Sequence, residues 1–460
     1  MKRILLFFFI AFVAIQYVNG QVISAGVSHS IALCDTTTVQ AWGWNAYGQL
    51  GNGTTADSWL PSQVNLLNTI IKIAAGGEHS LALKSDGTAW AWGRNYYGAL
   101  GDSTVINRTS PVQVHILAGA TALAGGDFYS LALKNDGTVW AWGQNGSGQL
   151  GDSTTTDRWL PIQVNNLNGI IAIAAGYYHS LAIKNDGTVW TWGDNSFGQL
   201  GNGNNTDSST PVQANLLTGI IKVAGGRNHS LALKNDGTVW AWGYNGLGQL
   251  GDGTTTDRWF ASPIIGLNGI IDIACGENHS LFVKNDGTVW ACGYNSNGQL
   301  GDGTTNDSWI PIQMNLLANA NSVEGGGAHS LILKNDGTVW ACGRNVVGKL
   351  GNGTNVDSWT PIQVINLCTI PTGLLNTFSF NEELLVSPTI NNGKFSITLS
   401  YNLREATIVI YNLMGKKIYE EIISNIMSKE IDLRNISQGI YFVKVIDEKG
   451  NKITRKFIKL

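Results

Sequence analysis

The sequence predicts an all-β protein: a seven-bladed β-propeller of four-stranded blades, followed by a small C-terminal β-sandwich. Three observations carry this. A 50-residue unit recurs seven times without an insertion, its runs alternate apolar and polar residues, and the composition is turn-rich. Of 460 residues, 57 are Gly and 17 are Trp, while only 13% are charged, against about a quarter in an average soluble domain. With 43% apolar residues and 9 Pro lacking any Gly-X-Y period, neither general disorder nor a collagen-like rod fits.

At the start, Met1-Lys2-Arg3 is cationic, Ile4 to Ile15 is an unbroken apolar run, and Val18-Asn19-Gly20 offers small-enough residues for cleavage before Gln21. Residues 1–20 therefore read as a secretory signal peptide. The rival reading, a membrane span, needs about 20 apolar residues, and the run is shorter than that. The mature chain is expected to have no membrane span and to sit in an oxidising compartment.

Residues 21–370 hold the seven units. His-Ser stands at 29–30, 79–80, 179–180, 229–230, 279–280 and 329–330, with Tyr129-Ser130 in the remaining slot. Gly-X-Leu-Gly begins at Gly48 and returns every 50 residues to Gly348. Within HSLALKNDGTVWAWG (229–243), two alternating runs flank Lys-Asn-Asp-Gly, a hairpin signal in which Gly237 takes a positive φ. An apolar run precedes each hairpin (Ile220 to Gly225) and a Pro-X-Gln-Val run follows (Pro161 to Val164), which makes four strands per unit. Repeated four-stranded units build propeller blades. An open solenoid is the rival, but neither end carries an atypical capping unit. The Trp pairs 90/92, 140/142, 190/192 and 240/242 share a strand face by their spacing and are expected between blades. On that reading most of the Trp enrichment is structural.

The pattern GxxHSLALKNDGTVWAWGxNxxGQLGxG resembles the regulator of chromosome condensation repeat, over all 350 residues of 21–370. The resemblance implies a seven-bladed propeller. It does not transfer a function, because members include a guanine-nucleotide exchange factor, a plant ultraviolet photoreceptor and a secreted inhibitor of β-lactamases. No inserted wedge supports exchange activity, and no Trp occupies the GxxHS slot as photoreception requires.

After a linker, 371–386, the tail carries strand-like runs at 394–401, 406–411 and 440–445, separated by Asn392-Gly393, Met414-Gly415 and Lys449-Gly450. SPTINNGKFSI (387–397), IVIYNLMGKKIYE (408–420), IDLRNISQGIYFVKV (431–445) and KITRKFIKL (452–460) resemble the C-terminal sorting domain of type IX secretion cargo. Pro388-Thr389-Ile390 replaces that family's usual Pro-Asn-Pro opening. The resemblance implies the type IX machinery as a partner and an extracellular or outer-membrane-surface location.

Charge and chemistry exclude several functions. Residues 21–370 contain 15 Lys plus Arg and 23 Asp plus Glu, a net of −8 that repels phosphate, so no nucleic-acid partner is expected. The repeated His residues are spaced around a ring instead of converging on one ion, so no metal or cofactor is expected, and each His is expected to bond backbone at its own blade's turn. GDGTTTD (251–257) reads as turn chemistry and not as a calcium loop. No nucleophile, base and acid break the repeat symmetry together, so the chain is read as non-enzymatic.

Copies of the unit differ in the GxxHS slot and in the x-Asn-x-x of WGxNxxG. Both flank the hairpin at one end, so they predict a single variable face. It carries Trp44, Tyr47, Glu78, Arg94, Tyr96, Tyr97, Asp127, Phe128, Tyr177, Tyr178, Phe197, Arg227, Tyr244 and Tyr294, types that dominate binding hot spots. A protein ligand is the first expectation, a glycan the second and a hydrolase substrate the third. Of the five Cys, Cys368 stands to Cys34 in a closed ring as Asn68 stands to Lys84, which predicts a disulfide stapling the closure. Cys292 and Cys342 replace the second Trp of their pairs as smaller core residues.

Overall fold

The computed structural model describes residues 23–368, except 36 and 316, and residues 384–459, except 388–389, 392–393, 413–415, 438 and 448–451. The predicted signal peptide and residues 371–383 of the predicted linker lie outside the described residues, as do the three turn signals of the tail. The chain divides into two compact units, Met1–Asn376 and Thr377–Leu460. No helix occurs among the described residues.

Each blade grows from the same local chemistry. In the Lys-Asn-Asp-Gly turn, Asp236 Oδ1 accepts the Thr238 N–H (3.0 Å) and Gly237 sits at φ 79°, a value that a Cβ would strain. The flanking runs pair antiparallel as His229–Lys234 and Val239–Gly243, with His229 opposite Gly243. Ile220–Gly225 adds on one side and Arg258–Pro263 on the other, so all seven sheets run in chain order. Proline sits in the fourth strand, as at Pro61 and Pro161, where a free sheet edge needs no N–H.

First strands of neighbouring blades lie side by side, and Ala320–Gly325 of blade 7 lies beside Ile23–Ala25 of blade 1, closing the ring. Apolar cores lie between blades. The second Trp of each pair reaches back into the preceding blade: Trp142 packs on Leu81, Leu83, Leu100 and Val114, and Trp42 on Leu331, Leu333 and Leu350. Trp42, Trp92, Trp142, Trp192 and Trp242 are fully buried. The first Trp of each pair is half-buried beneath the turn lysine, as with Lys84 Nζ 4.2 Å from the Trp90 ring centroid. Cys292 and Cys342 occupy the second-Trp slot as buried residues.

The histidines correct the sequence reading. Each bonds across the blade junction, not to its own turn: His29 Nε2 meets Ser80 Oγ (2.9 Å), His179 meets Ser230 (2.8 Å), and His329 closes the circle on Ser30 (3.0 Å). That serine donates its one hydrogen to a backbone carbonyl of the preceding blade, as from Ser80 to Gln49 O (2.9 Å). It must therefore accept from the imidazole, so Nε2 carries the proton and Nδ1 is an acceptor. Among the described residues, Nδ1 of His29, His179, His229, His279 and His329 has no partner. Spacing revealed the histidines but could not say which blade supplies the partner.

The tail forms one six-stranded sheet. Two predicted runs merge into a single strand, Lys394–Asn412, whose two halves both feed one core: Phe395 and Ile397 from the first, Ile408 and Ile410 from the second. Antiparallel pairing with Lys417–Asp432 carries the strand through the residues between the two runs. The sheet also starts before the predicted boundary. Leu384–Ser387, mostly assigned to the linker, pairs with residues 396–399, as its apolar Leu-Leu-Val run favours.

Candidate binding face

The variable loops meet because each hairpin returns its ends to one side. Trp44 N–H donates to Ser28 O (2.9 Å) and Arg94 N–H to Glu78 O (2.9 Å), so the two loops of each blade are tied together. The buried Asn of WGxN holds the longer loop: Asn45 Nδ2 donates to Thr54 O (3.0 Å) and Ala56 O (2.9 Å), while its Oδ1 accepts the Leu50 N–H (2.9 Å). In GDGTTTD, Asp252 is saturated by Asn245, Thr254 and Arg258, in keeping with a turn. Among the described residues, no group of three or more His, Cys, Asp or Glu could hold a metal ion.

The GxxHS loops are hydrogen-bonded blade to blade in a closed circle. Val27 N–H donates to Gly77 O (3.1 Å), Asp127 to Tyr177 O (3.2 Å), Arg227 to Glu277 O (3.0 Å), and Gly327 back to Val27 O (3.3 Å). This circle holds a polar group. Tyr178 Oη donates to Asp127 Oδ2 (3.0 Å), and Arg227 pairs with Glu277 at 2.6 Å. Burial, with Glu78 and Glu277 nearby, raises the Asp127 carboxyl to about 6. Tyr177 is raised well above its ordinary value, mainly by burial, and its hydroxyl has no partner among the described residues.

Blades 1 to 3 bring seven predicted residues into one network. Arg94 lies 4.7 Å from the Tyr47 ring and 4.9 Å from Phe128, and it pairs with Glu78. Trp44 meets Tyr47 edge-on at 5.3 Å, Tyr96 meets Tyr97 at 4.9 Å, and Tyr97 reaches Phe128 at 5.6 Å. Tyr177 and Tyr178 also meet edge-on, at 6.3 Å. Phe197 and Tyr244 form a separate pair, 4.9 Å apart. Tyr294 holds the matching loop position in blade 6, its N–H bonded to Asn278 O (2.9 Å), outside these ring groups. Asp127 is the one member that is buried, at 8% exposure, beneath its hydrogen bond from Tyr178. Glu277, present in the same slot but not selected from sequence, belongs with Arg227.

Residues 122–380, more than half of the chain, match the RCC1-like domain family. The chain belongs to that family. Residues 38–83 and 86–133 match the regulator of chromosome condensation (RCC1) repeat, and a second form of that repeat matches 22–49 and 70–99. Residues 387–460 match the secretion system C-terminal sorting domain, which marks the RCC1-like chain for secretion to the exterior or the cell surface. Among solved structures, human WBSCR16 is similar at TM-score 0.66 and 23% identity, over 72% of this chain and 94% of that one. Prp20p from Saccharomyces cerevisiae gives TM-score 0.65 and 25% identity, over 77% and 90%. Yeast RCC1 (Prp20) bound to Kap60 gives 0.66 and 23%, over 81% and 89%. No helix among the described residues is long and apolar enough to cross a membrane.

Sequence reasoning passed over one aromatic set. Trp59, Trp159, Trp259, Trp309 and Trp359 lie on the fourth strands and are 44–52% exposed, so the reading of tryptophan as core filling does not extend to them. Each follows an Asp by two residues, a spacing visible in the sequence that does not by itself reveal exposure.

Proposed function

We propose that this RCC1-like chain is a secreted or surface-displayed binding protein without catalytic activity, which holds a protein partner on the variable face of its propeller. The observation that carries the reading is the network of Trp44, Tyr47, Arg94, Tyr97 and Phe128, assembled from three blades. Rigid aromatic rings locked by a guanidinium offer contact area without the entropy cost of ordering loose side chains. Tyr96, 65% exposed, projects from that network as its anchor. The polar circle of Asp127, Tyr177, Tyr178, Arg227 and Glu277 supplies orientation beside it. Protein binding is also consistent with the relative Prp20p, whose structure was described together with its binding to Gsp1p and histones.

The test is affinity capture with the full chain and with Tyr96→Ala/Tyr177→Ala. Loss of the retained protein in the double variant, with an unchanged melting temperature, supports the face. Equal retention removes it. A glycan on the same face is the second reading, and glycan-array binding lost in the same variant would replace the first.

A further inference from the structure

We infer that the propeller rim is a second, multivalent binding surface for a neutral polysaccharide, built on Trp59, Trp159, Trp259, Trp309 and Trp359. Each is about half exposed although it carries the largest apolar side chain in the chain. Each is also held in place. A Cβ on Gly298 would fall 2.6 Å from Trp359 Cδ1, and one on Gly98 2.7 Å from Trp159 Cδ1, so the backbone of the preceding blade's loop grips one edge of the indole. What remains exposed is a rigid aromatic surface, the platform on which the C–H face of a sugar ring stacks.

The polar half of such a site stands two residues earlier. Asp57, Asp157, Asp257, Asp307 and Asp357 each accept a backbone N–H through Oδ1, at 2.7–2.8 Å from Asn45, Asn145, Asn245, Asn295 and Asn345 respectively. That bond fixes the carboxylate, and among the described residues Oδ2 accepts no hydrogen bond. A pinned carboxylate with one free oxygen accepts hydrogen bonds from adjacent sugar hydroxyls. At the blade 7 and blade 1 junction, Asp57, Ser58, Trp59 and Leu60 line an open depression with Gly353. Of the two blades without the Trp, one reads Asn107-Arg108-Thr109 and the other keeps the aspartate, as Asp207-Ser208-Ser209.

Three features select the ligand. The carboxylates and the net charge of −8 over residues 21–370 disfavour anionic partners. Charged groups beside every indole resist burial in lipid. Blades 5, 6, 7 and 1 present the same Asp-X-Trp in succession, and a repeating surface is matched by a repeating ligand whose weak contacts add.

The experiment is affinity electrophoresis of the full chain in gels holding mixed-linkage β-glucan, xylan or α-mannan, with alginate as the anionic control. Retardation by at least one neutral polymer is expected, and Trp59→Ala/Trp309→Ala/Trp359→Ala should weaken it about tenfold or more, equivalent to about 1.4 kcal/mol. Should the triple variant unfold, the unmodified protein answers instead: the bound polymer must protect indoles from N-bromosuccinimide. Tyr96→Ala/Tyr177→Ala should leave retardation intact, which separates this surface from the face proposed above. No retardation by any neutral polymer, retardation unchanged in the triple variant, preference for alginate, or Trp-dependent binding to phosphatidylcholine vesicles instead of glycan would each overturn the inference.

Discussion

Six of the seven blade junctions are crossed by the chain itself, and the seventh, between blade 7 and blade 1, is not. Its non-covalent chemistry is nonetheless the same. At an internal junction, Ser230 Oγ and Trp242 Nε1 both donate to Gln199 O, at 2.9 and 2.8 Å. At closure, Ser30 Oγ and Trp42 Nε1 both donate to Lys349 O, at 3.1 and 2.8 Å. Two things differ. Cys34 and Cys368 are joined in the structure with Cα atoms 5.8 Å apart, and Cys368 N–H donates to Gln40 Oε1 (2.9 Å). Lysine also replaces the glutamine found at this position in blades 1, 3, 4, 5 and 6. Repetition thus supplies the adhesive contacts of the closing junction.

The largest expected effect tests what all junctions share. Burial lowers His29, His229 and His279 to about 3 and His79 and His179 to about 4. The unfolded chain takes up these protons below about 6.5, whereas the folded chain does not until pH 3–4. Stability is therefore intact above about pH 6.5 and falls through the window down to pH 4, by about 1.4 kcal/mol per unit for each histidine. Urea titrations at pH 7.5 and 5 should show a midpoint that drops sharply. A flat profile would mean that the imidazoles are solvated.

Next, Trp42→Ala and Trp242→Ala should each cost about 3–5 kcal/mol, because each empties a fully buried site between blades. Similar losses by denaturant unfolding would establish equivalence of the closing and internal junctions; a much smaller loss at Trp42 would mean that the ring is ajar. We propose that the disulfide is the closure's tether. Cys34→Ala/Cys368→Ala should then lose about 2–4 kcal/mol, and reductant should reproduce the loss in the unaltered chain but not in the variant. Intact-mass analysis that finds both thiols alkylatable without reductant contradicts it.

The smallest effect concerns Lys349. Burial, with Arg344 nearby, lowers it from 10.5 to about 8, so its charge is disfavoured in the folded state. Stability is depressed below about pH 8 and rises towards pH 10.5 as the unfolded chain alone retains the proton. Lys349→Gln should restore about 1–3 kcal/mol at pH 7 and abolish the rise between pH 8 and 10.5 in denaturant titrations.

Strand periodicity and the Lys-Asn-Asp-Gly turns made the blades legible, since both are local and the turn recurs unchanged in five of the seven units. The variable face was legible for a topological reason: a hairpin brings its two ends to one side whatever they contain. The association of Arg94 with Tyr47 and Phe128 was not, because three different blades supply the partners. Nor was the exposure of Trp59 and its counterparts. A tryptophan in a strand reads alike in sequence whether a neighbouring blade covers it or only a glycine loop touches its edge.

By itself the sequence determined the unit, its count and the strand order within a blade, because hydrophobic alternation and turn geometry act over a few residues. Tertiary structure alone decided which serine each histidine meets, which tryptophans are hidden and how the mouth of the ring is wired. Those outcomes depend on the residue about 50 positions away that circular packing brings alongside, and no local pattern encodes that neighbour.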